Sequence, residues 1–204
     1  MNHAALGSFL VVVGYLLGSI PFGLVLARVF LGVDVRQVGS GNIGATNAAR
    51  AGGKKLGVAV LILDAAKAML PVAVTQQLTA GWPDAQLWVM AVAVAAFAGH
   101  LFPVWLRFKG GKGVATGVGI FLVLSPWAAL AGLGAYALLY AVTRISSVGS
   151  LAGAAACVVG VFVQQGPGSP LAWAGAAIGA MIWWRHRENI QRILSGEEKR
   201  RMKV

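Results

Sequence analysis

The chain has 204 residues, 58% of them hydrophobic and only 11% charged, with a formal net charge of +11. So little charge excludes an ordinary soluble domain and puts the chain in the membrane class. The basic residues sit between apolar runs, which favours anionic lipid and anionic substrates as partners over nucleic acid.

A membrane-crossing helix takes about 20 apolar residues. In chain order the candidates are residues 5–31, 56–78, 86–106, 148–163 and 169–184, with a continuous apolar run over 113–142. No basic segment precedes the first stretch and no convincing small-residue cleavage site follows, so it is read as a retained span, not a signal peptide. The run over 113–142 is either one very long helix or two short ones broken at Ser125-Pro126, because proline lacks the N–H a helix interior needs.

Charge chooses between these alternatives, since Lys and Arg mark cytoplasmic segments. A break at Pro126 gives seven spans with the N-terminus outside and the C-terminus cytoplasmic. Of the 17 basic residues, 15 then fall inside: Arg36, Arg50, Lys54 and Lys55; Arg107, Lys109 and Lys112; Arg144; and seven over 185–203. The outside segments hold none. The expected fold is an all-α integral membrane protein, one membrane domain over 1–204. Its spans lie at about 5–31, 56–78, 86–106, 113–125, 126–142, 148–163 and 169–184. The 28 glycines suit close helix packing through small residues, as at Gly149/Gly153 and Gly175/Gly179.

This topology gathers every polar cluster on the cytoplasmic face, whereas a pump or channel would more often carry polar groups through the full depth. The first cluster, residues 39–50, reads Gly39-Ser40-Gly41-Asn42-Ile43-Gly44-Ala45-Thr46-Asn47-Ala48-Ala49-Arg50. Its glycines let successive N–H groups turn toward one anion. Ser40, Asn42, Thr46 and Asn47 add donors, and Arg50 can close on a phosphate with two parallel bonds. Read alone, the loop serves equally as a solvated connector. Gly39, Gly41 and Gly44, with Asp64 beyond, imitate a dinucleotide-binding fingerprint, but the run before them is too long and apolar to be the required strand.

The second cluster is Lys109-Gly110-Gly111-Lys112-Gly113-Val114-Ala115-Thr116, at the start of a helix, where free N–H groups and the dipole attract phosphate. It is not a Walker A loop, since Leu106 stands where that loop needs glycine. The alternative reading is a basic membrane anchor. The third is Arg185-His186-Arg187-Glu188-Asn189-Ile190, which sets His186 and Asn189 on one helical face. The fourth is Arg144-Ile145-Ser146-Ser147-Val148-Gly149-Ser150, which reads equally as a capped helix start. Lys199, Arg200, Arg201 and Lys203 read as a lipid-facing basic patch.

Asp64 and Lys67 lie three apart inside the second span and are expected to form a structural ion pair. Cys157 is a lone thiol in an apolar run, which excludes a disulfide framework and offers no electropositive setting for a thiolate. No cluster has metal-ligand spacing, so neither metal nor cofactor is expected. The pattern H-x-x-x-x-D of one large glycerolipid acyltransferase class is absent: Trp105 and Gln191 stand five residues after His100 and His186.

Taken in order, residues 39–50, residues 109–116 and His186-Arg187-Glu188-Asn189-Ile190 resemble the bacterial acyl-phosphate:glycerol-3-phosphate acyltransferase family, PlsY. Leu17-Gly18-Ser19-Ile20-Pro21, Leu63-Asp64 with Lys67, and Gly99-His100 with Phe102-Pro103 support the match, which runs from near residue 15 to about 194. One departure is Ile145, where the family tends to have an aromatic after the arginine.

The resemblance implies a seven-helix protein of the bacterial inner membrane whose active site faces the cytoplasm. It implies transfer of a fatty acyl group from acyl phosphate to the 1-hydroxyl of glycerol 3-phosphate, giving lysophosphatidic acid. The partners expected are glycerol 3-phosphate, acyl phosphate and membrane lipid, with no obligate protein partner evident. Acyl phosphate is already activated, so no covalent intermediate is required and positioning does most of the work. Arg50, Ser40 and the loop residues Gly41, Asn42, Gly44, Thr46 and Asn47 are expected to hold one phosphate. Lys112 with Lys109, Gly110, Gly111, Gly113 and Thr116 is expected to stabilise the other, with Ser147 and Ser150 as further ligands. His186 and Asn189 would orient the glycerol hydroxyls. His186 and a substrate phosphate are both open as proton acceptor. A transporter for a phosphorylated solute is the competing reading.

Overall fold

Glycine and proline set most of the helix ends. The computed structural model of the protein describes residues 2–198, and among these it is built of helices with no strand. They are α1 (His3–Gly18), α2 (Phe22–Leu31), α3 (Ala45–Leu78), α4 (Ala85–Leu101), α5 (Val114–Leu124), α6 (Pro126–Thr143), α7 (Ser146–Gln165), α8 (Pro170–Arg185) and α9 (Arg187–Leu194). Two short 3-10 turns, Val35–Gln37 and Val104–Leu106, lie in the connections. The basic residues from Lys199 to Lys203 lie outside the described residues.

The run over 113–142 breaks where proline demands it, with Pro126 at the first position of α6. The first apolar stretch is not one continuous helix. Pro21 interrupts it, and α1 and α2 meet at 41°. The third stretch stops being α-helical at Leu101, because a residue before proline (here Phe102) is pushed out of the α region. The second stretch begins at Ala45, well before residue 56, so half of the glycine-rich segment is helical. That helix is interrupted at Gly52 and at Gly53, whose φ is 82°.

Four segments are long and apolar enough to cross a membrane: α3, the stretch Ala85–Leu106, α6 and α7. The bent pair α1–α2 makes a fifth. At 11 and 16 residues, α5 and α8 are shorter apolar helices. The result is a multi-pass membrane protein. Large apolar side chains face outward, as Trp127 and Val142 do on α6, at 73% and 75% exposure, where lipid replaces water.

Small residues bring the helices together. On α7, Gly149 and Gly153 both face α6, and a Cβ on Gly153 would lie 2.8 Å from the Gly132 carbonyl oxygen. Gly179 of α8 packs on Val158 of α7. The larger core, around Phe97, Leu101, Ile120, Phe121 and Val161, ties α4, α5 and α7 together. A smaller one, with Leu24, Val35, Ile43, Ala48 and Val60, sits under the 32–44 connection and holds it on α2 and α3.

The break at Pro21 leaves the Ile20 carbonyl outside the helical ladder, where it accepts the Phe22 N–H at 3.1 Å and Lys67 Nζ at 2.7 Å. The same ammonium lies 2.8 Å from Asp64 Oδ1, with both side chains buried. This pair therefore pins the broken first span to α3. Lys67→Met should leave a buried carboxylate unpaired and cost about 3–5 kcal/mol. The expected readout is a lower thermal midpoint in detergent, partly regained in Asp64→Asn/Lys67→Met. An unchanged midpoint in the single variant would remove this role.

Candidate active site

The glycine-rich segment is organised by one side chain. Asn47, in the first turn of α3, is 2% exposed, and its Nδ2 lies within hydrogen-bond distance of the Val35, Val38 and Asn42 carbonyls. Its Oδ1 accepts the Ser40 N–H at 2.9 Å. Asn42 Oδ1 accepts the Gly44 N–H at 2.8 Å, and the Gly41 N–H goes to the Val38 carbonyl. The expectation that amides at Gly41 and Gly44 cradle a phosphate is thus corrected, since both are used inside the loop. What the loop presents instead is the Ser40 and Thr46 hydroxyls and the exposed Arg50 guanidinium, which closes over Gly39.

The lysine–glycine segment is a turn folded back on the end of α4. The Gly110 and Gly111 N–H groups donate to the Leu101 and His100 carbonyls, each at 3.1 Å. Their own carbonyls accept from Arg185, whose Nη2 and Nε reach Gly110 at 2.6 Å and Gly111 at 3.0 Å. The paired glycines are there for closeness. A Cβ on Gly110 would stand 2.1 Å from the His100 carbonyl oxygen, and one on Gly111 2.2 Å from His100 Nε2. Gly110 and Gly111 therefore shape the turn and offer no amide to a phosphate. Lys109 points to solvent outside the cavity, and Thr116 is buried behind it, its hydroxyl without a partner among the described residues. Lys112 points inward and donates to Asn189 Oδ1. Burial lowers its ammonium to about 8, against support from Glu198 and with opposition from Arg192.

His186 and Asn189 sit where α8 gives way to α9, both buried. His186 Nδ1 lies 2.7 Å from the Ile182 carbonyl, which can only accept. Nδ1 must therefore carry the proton, leaving Nε2 as an acceptor. Burial, and then the Lys112 ammonium, pulls the imidazole down to about 4, so it is neutral at pH 7. Nearby, the Glu198 carboxylate accepts from Ser147 Oγ at 2.8 Å, Asn189 Nδ2 at 2.6 Å and Arg192 Nε at 2.7 Å. Partial burial opposes its ionisation, but the Arg192, Asn189 and Ser147 bonds win and hold it below the usual carboxylate range.

Most of these groups line one cavity of about 260 Å³. Its polar end collects Ser40, Asn42, Gly44, Thr46, Asn47, Arg50, Lys112, Gly113, Ser147, Ser150, His186 and Asn189. Gly41, Lys109, Gly110, Gly111 and Thr116 stay outside it. Asp64 lines the wall while paired with Lys67. The first residues of α3, α5 and α7 all line the cavity, and His186 and Asn189 bring the start of α9 to it. The positive ends of α3, α5 and α7 and the cations Arg50, Lys112 and Arg192 thus border one space, which the Glu198 carboxylate also lines. Because α9 follows α8 directly, its positive end adjoins the negative end of α8. Beyond it the cavity becomes apolar, running between α5, α6 and α7 past Val118, Phe121, Ala129, Leu133 and Cys157.

Compared with known proteins, the family model of glycerol-3-phosphate acyltransferase matches residues 8–196. The chain belongs to this family. A glycerol-3-phosphate acyltransferase of Anaeromyxobacter sp. (strain K) is 66% identical over 200 residues, which is 98% of this chain and 100% of the relative. One from Myxococcus xanthus (strain DK1622) is 51% identical over 193 residues, 95% and 98% of the two chains. The crystal structure of PlsY, an integral membrane glycerol 3-phosphate acyltransferase, in its glycerol 3-phosphate form is similar with a TM-score of 0.86 at 40% identity, over 94% of each chain. Its lysophosphatidic acid form gives 0.83 at 38% identity, over 94% of this chain and 93% of the other.

Three residues that brace the site lie outside the set expected to meet the substrates. Arg185 reads in the sequence as one more basic residue at a span end, and its partners lie 74 and 75 residues away. Arg192 and Glu198 lie in a charged stretch near the C-terminus. The six-residue spacing of opposite charges was the only available sign of their pairing at 2.7 Å. Gly110→Ala should push the turn off α4 and misplace Lys112, lowering turnover about a hundredfold in a protein that still purifies as a folded membrane protein. Turnover near wild type would show that the close approach is dispensable.

Proposed function

We propose that this acyltransferase moves a fatty acyl group from acyl phosphate to the 1-hydroxyl of glycerol 3-phosphate, forming lysophosphatidic acid and inorganic phosphate by direct transfer. One observation carries the reading: three helix N-termini and three cations, against the Glu198 carboxylate bonded to Arg192, border the polar end of a cavity whose other end is apolar. Such a space suits two phosphate-bearing molecules side by side, one of them trailing a hydrocarbon chain. That PlsY has been solved in glycerol 3-phosphate and lysophosphatidic acid forms supports the acceptor and the product.

In this mechanism Arg50, Ser40 and Thr46, with the start of α3, hold one phosphate. Lys112, Ser147 and Ser150, with Gly113 and the starts of α5 and α7, hold the other. His186 Nε2 accepts from the glycerol 2-hydroxyl and, with Asn189, orients the molecule, leaving the proton of the attacking 1-hydroxyl free for the phosphate. The hydroxyl oxygen bonds to the acyl carbon while the carbon–oxygen bond to phosphate breaks, its electron pair leaving with the phosphate. A base near 4 takes a proton only weakly, so the leaving phosphate accepts it and His186 orients. Lys112 stabilises the charge that grows on that phosphate. Seven spans, with the N-terminus outside and this cavity at the cytoplasmic face of the bacterial inner membrane, complete the proposal. The positive-inside pattern supports it.

Purified protein given palmitoyl phosphate and radiolabelled glycerol 3-phosphate should yield lysophosphatidic acid, with none from palmitoyl-CoA or acylated carrier protein. Product from a thioester donor alone would overturn the donor. Arg50→Ala should cost about a hundredfold or more in turnover, the scale of losing charge-assisted bonds to a phosphate. The pH dependence has a definite sign. Lys112 loses its charge as pH rises through about 8, so kcat should decline above that point. His186 gains a proton only near 4, so an acid limb around pH 6 would belong to the substrate phosphate. His186→Gln should therefore lower kcat without changing the shape of the profile.

A further inference from the structure

The end of the described chain returns over the site. After α9, Gly196 takes a φ of 73° and turns the backbone, and the Glu197 and Glu198 N–H groups bond to the Arg192 carbonyl at 2.8 and 3.1 Å. This brings the Glu198 side chain between α7 and α9. Oε1 accepts from both Ser147 Oγ and Asn189 Nδ2, and Oε2 accepts from Arg192 Nε. On its other side, Asn189 accepts from Lys112 through Oδ1. A carboxylate can only accept and an ammonium can only donate. An amide held between them therefore has one orientation, nitrogen toward Glu198 and oxygen toward Lys112.

We propose that Glu198 is a positioning residue of the acyltransferase site: its carboxylate fixes the Asn189 amide and the Ser147 hydroxyl, and through Asn189 holds Lys112 in place. The proposal rests on the functional reading above, in which Lys112 and Asn189 meet the substrates. Glu198 acts on two further groups as well. It anchors Arg192, whose guanidinium lines the cavity, and it adds a negative charge where helix ends and cations crowd together. The charges facing Lys112 are Glu198 and Glu188, which favour its ammonium, and Arg192 and Arg185, which oppose it. The neutral His186 adjoins it. Arg50 and Asp64 from α3 and His100 from α4 line the same cavity. Replacing Glu198 by a neutral residue removes the largest support among these, so Lys112 should lose its proton at lower pH.

The test uses the full chain in detergent as wild type, Glu198→Gln and Glu198→Asp. The Gln variant should lose about ten- to a hundredfold in kcat with a smaller change in KM, the scale expected for a misaligned catalytic set. The alkaline limb of its kcat profile should move to lower pH. The Asp variant, which keeps the charge, should recover the position of that limb. Titration of Lys112 Nζ by 15N-lysine NMR should fall in the Gln variant and return in the Asp variant. That measurement needs no turnover. If wild type forms no lysophosphatidic acid, the functional reading fails, while the Lys112 titration still decides the role of Glu198. Turnover within about twofold of wild type with an unmoved Lys112 titration would overturn the proposal. So would a lower KM for glycerol 3-phosphate in Glu198→Gln, which would mark the carboxylate as a competitor for the phosphate site.

Discussion

Three helices of this protein, α3, α5 and α7, begin at one cavity, so that their positive ends border the same space. Each first turn leaves N–H groups without helical partners and carries a partial positive charge. Bringing the starts of α3, α5 and α7 together with Arg50, Lys112 and Arg192 creates a positive field that the Glu198 carboxylate offsets only in part. In a space partly shielded from water that field is stronger than at an open surface. An electrostatic preference for anions is therefore built into the architecture before any single side chain is considered.

Holding such ends together requires opposing restraints, and the protein draws them from main-chain carbonyls. Arg185 uses its planar fork on Gly110 and Gly111, and Asn47 gathers the carbonyls at Val35, Val38 and Asn42. Lys67 is a second donor, beside the Phe22 N–H, to the Ile20 carbonyl at the break in the first span. These are all places where a helix has ended or a loop cannot satisfy itself. A buried carbonyl without a donor would otherwise be costly, so the same contacts that repair the backbone also fix the geometry of the site.

Much of this was legible in the residues. Proline at 126 broke the long apolar run, and the gathering of polar residues into few clusters brought Ser40, Arg50, Lys112, His186 and Asn189 to one cavity. The differences have separate causes. Glycine in a polar segment reads as a cradle for an anion, yet Gly110 and Gly111 are small because α4 lies against them, a fact fixed by tertiary contact alone. Residues 45–50 read as loop because of Thr46, Asn47 and Arg50, although Gly44 caps a helix there. Glu198 escaped notice because its partners are a serine 51 residues earlier and an amide nine residues earlier, and because its neighbours are overwhelmingly basic.

The interruption at Gly52 and Gly53 separates the short segment bearing Thr46, Asn47 and Arg50 from the long apolar part of α3. A continuous rod would swing Arg50 sideways whenever the span tilted to suit a thinner or thicker bilayer. With two glycines as a joint, one at a φ of 82°, the segment instead folds against the span, where Gly57 lies close to Ala45 and Ala49. Residues from both sides of the joint, Arg50 before it and Leu61 and Asp64 after it, line the same cavity. A tilt of the span would therefore carry the polar rim along with the cavity wall, with no shear of one past the other.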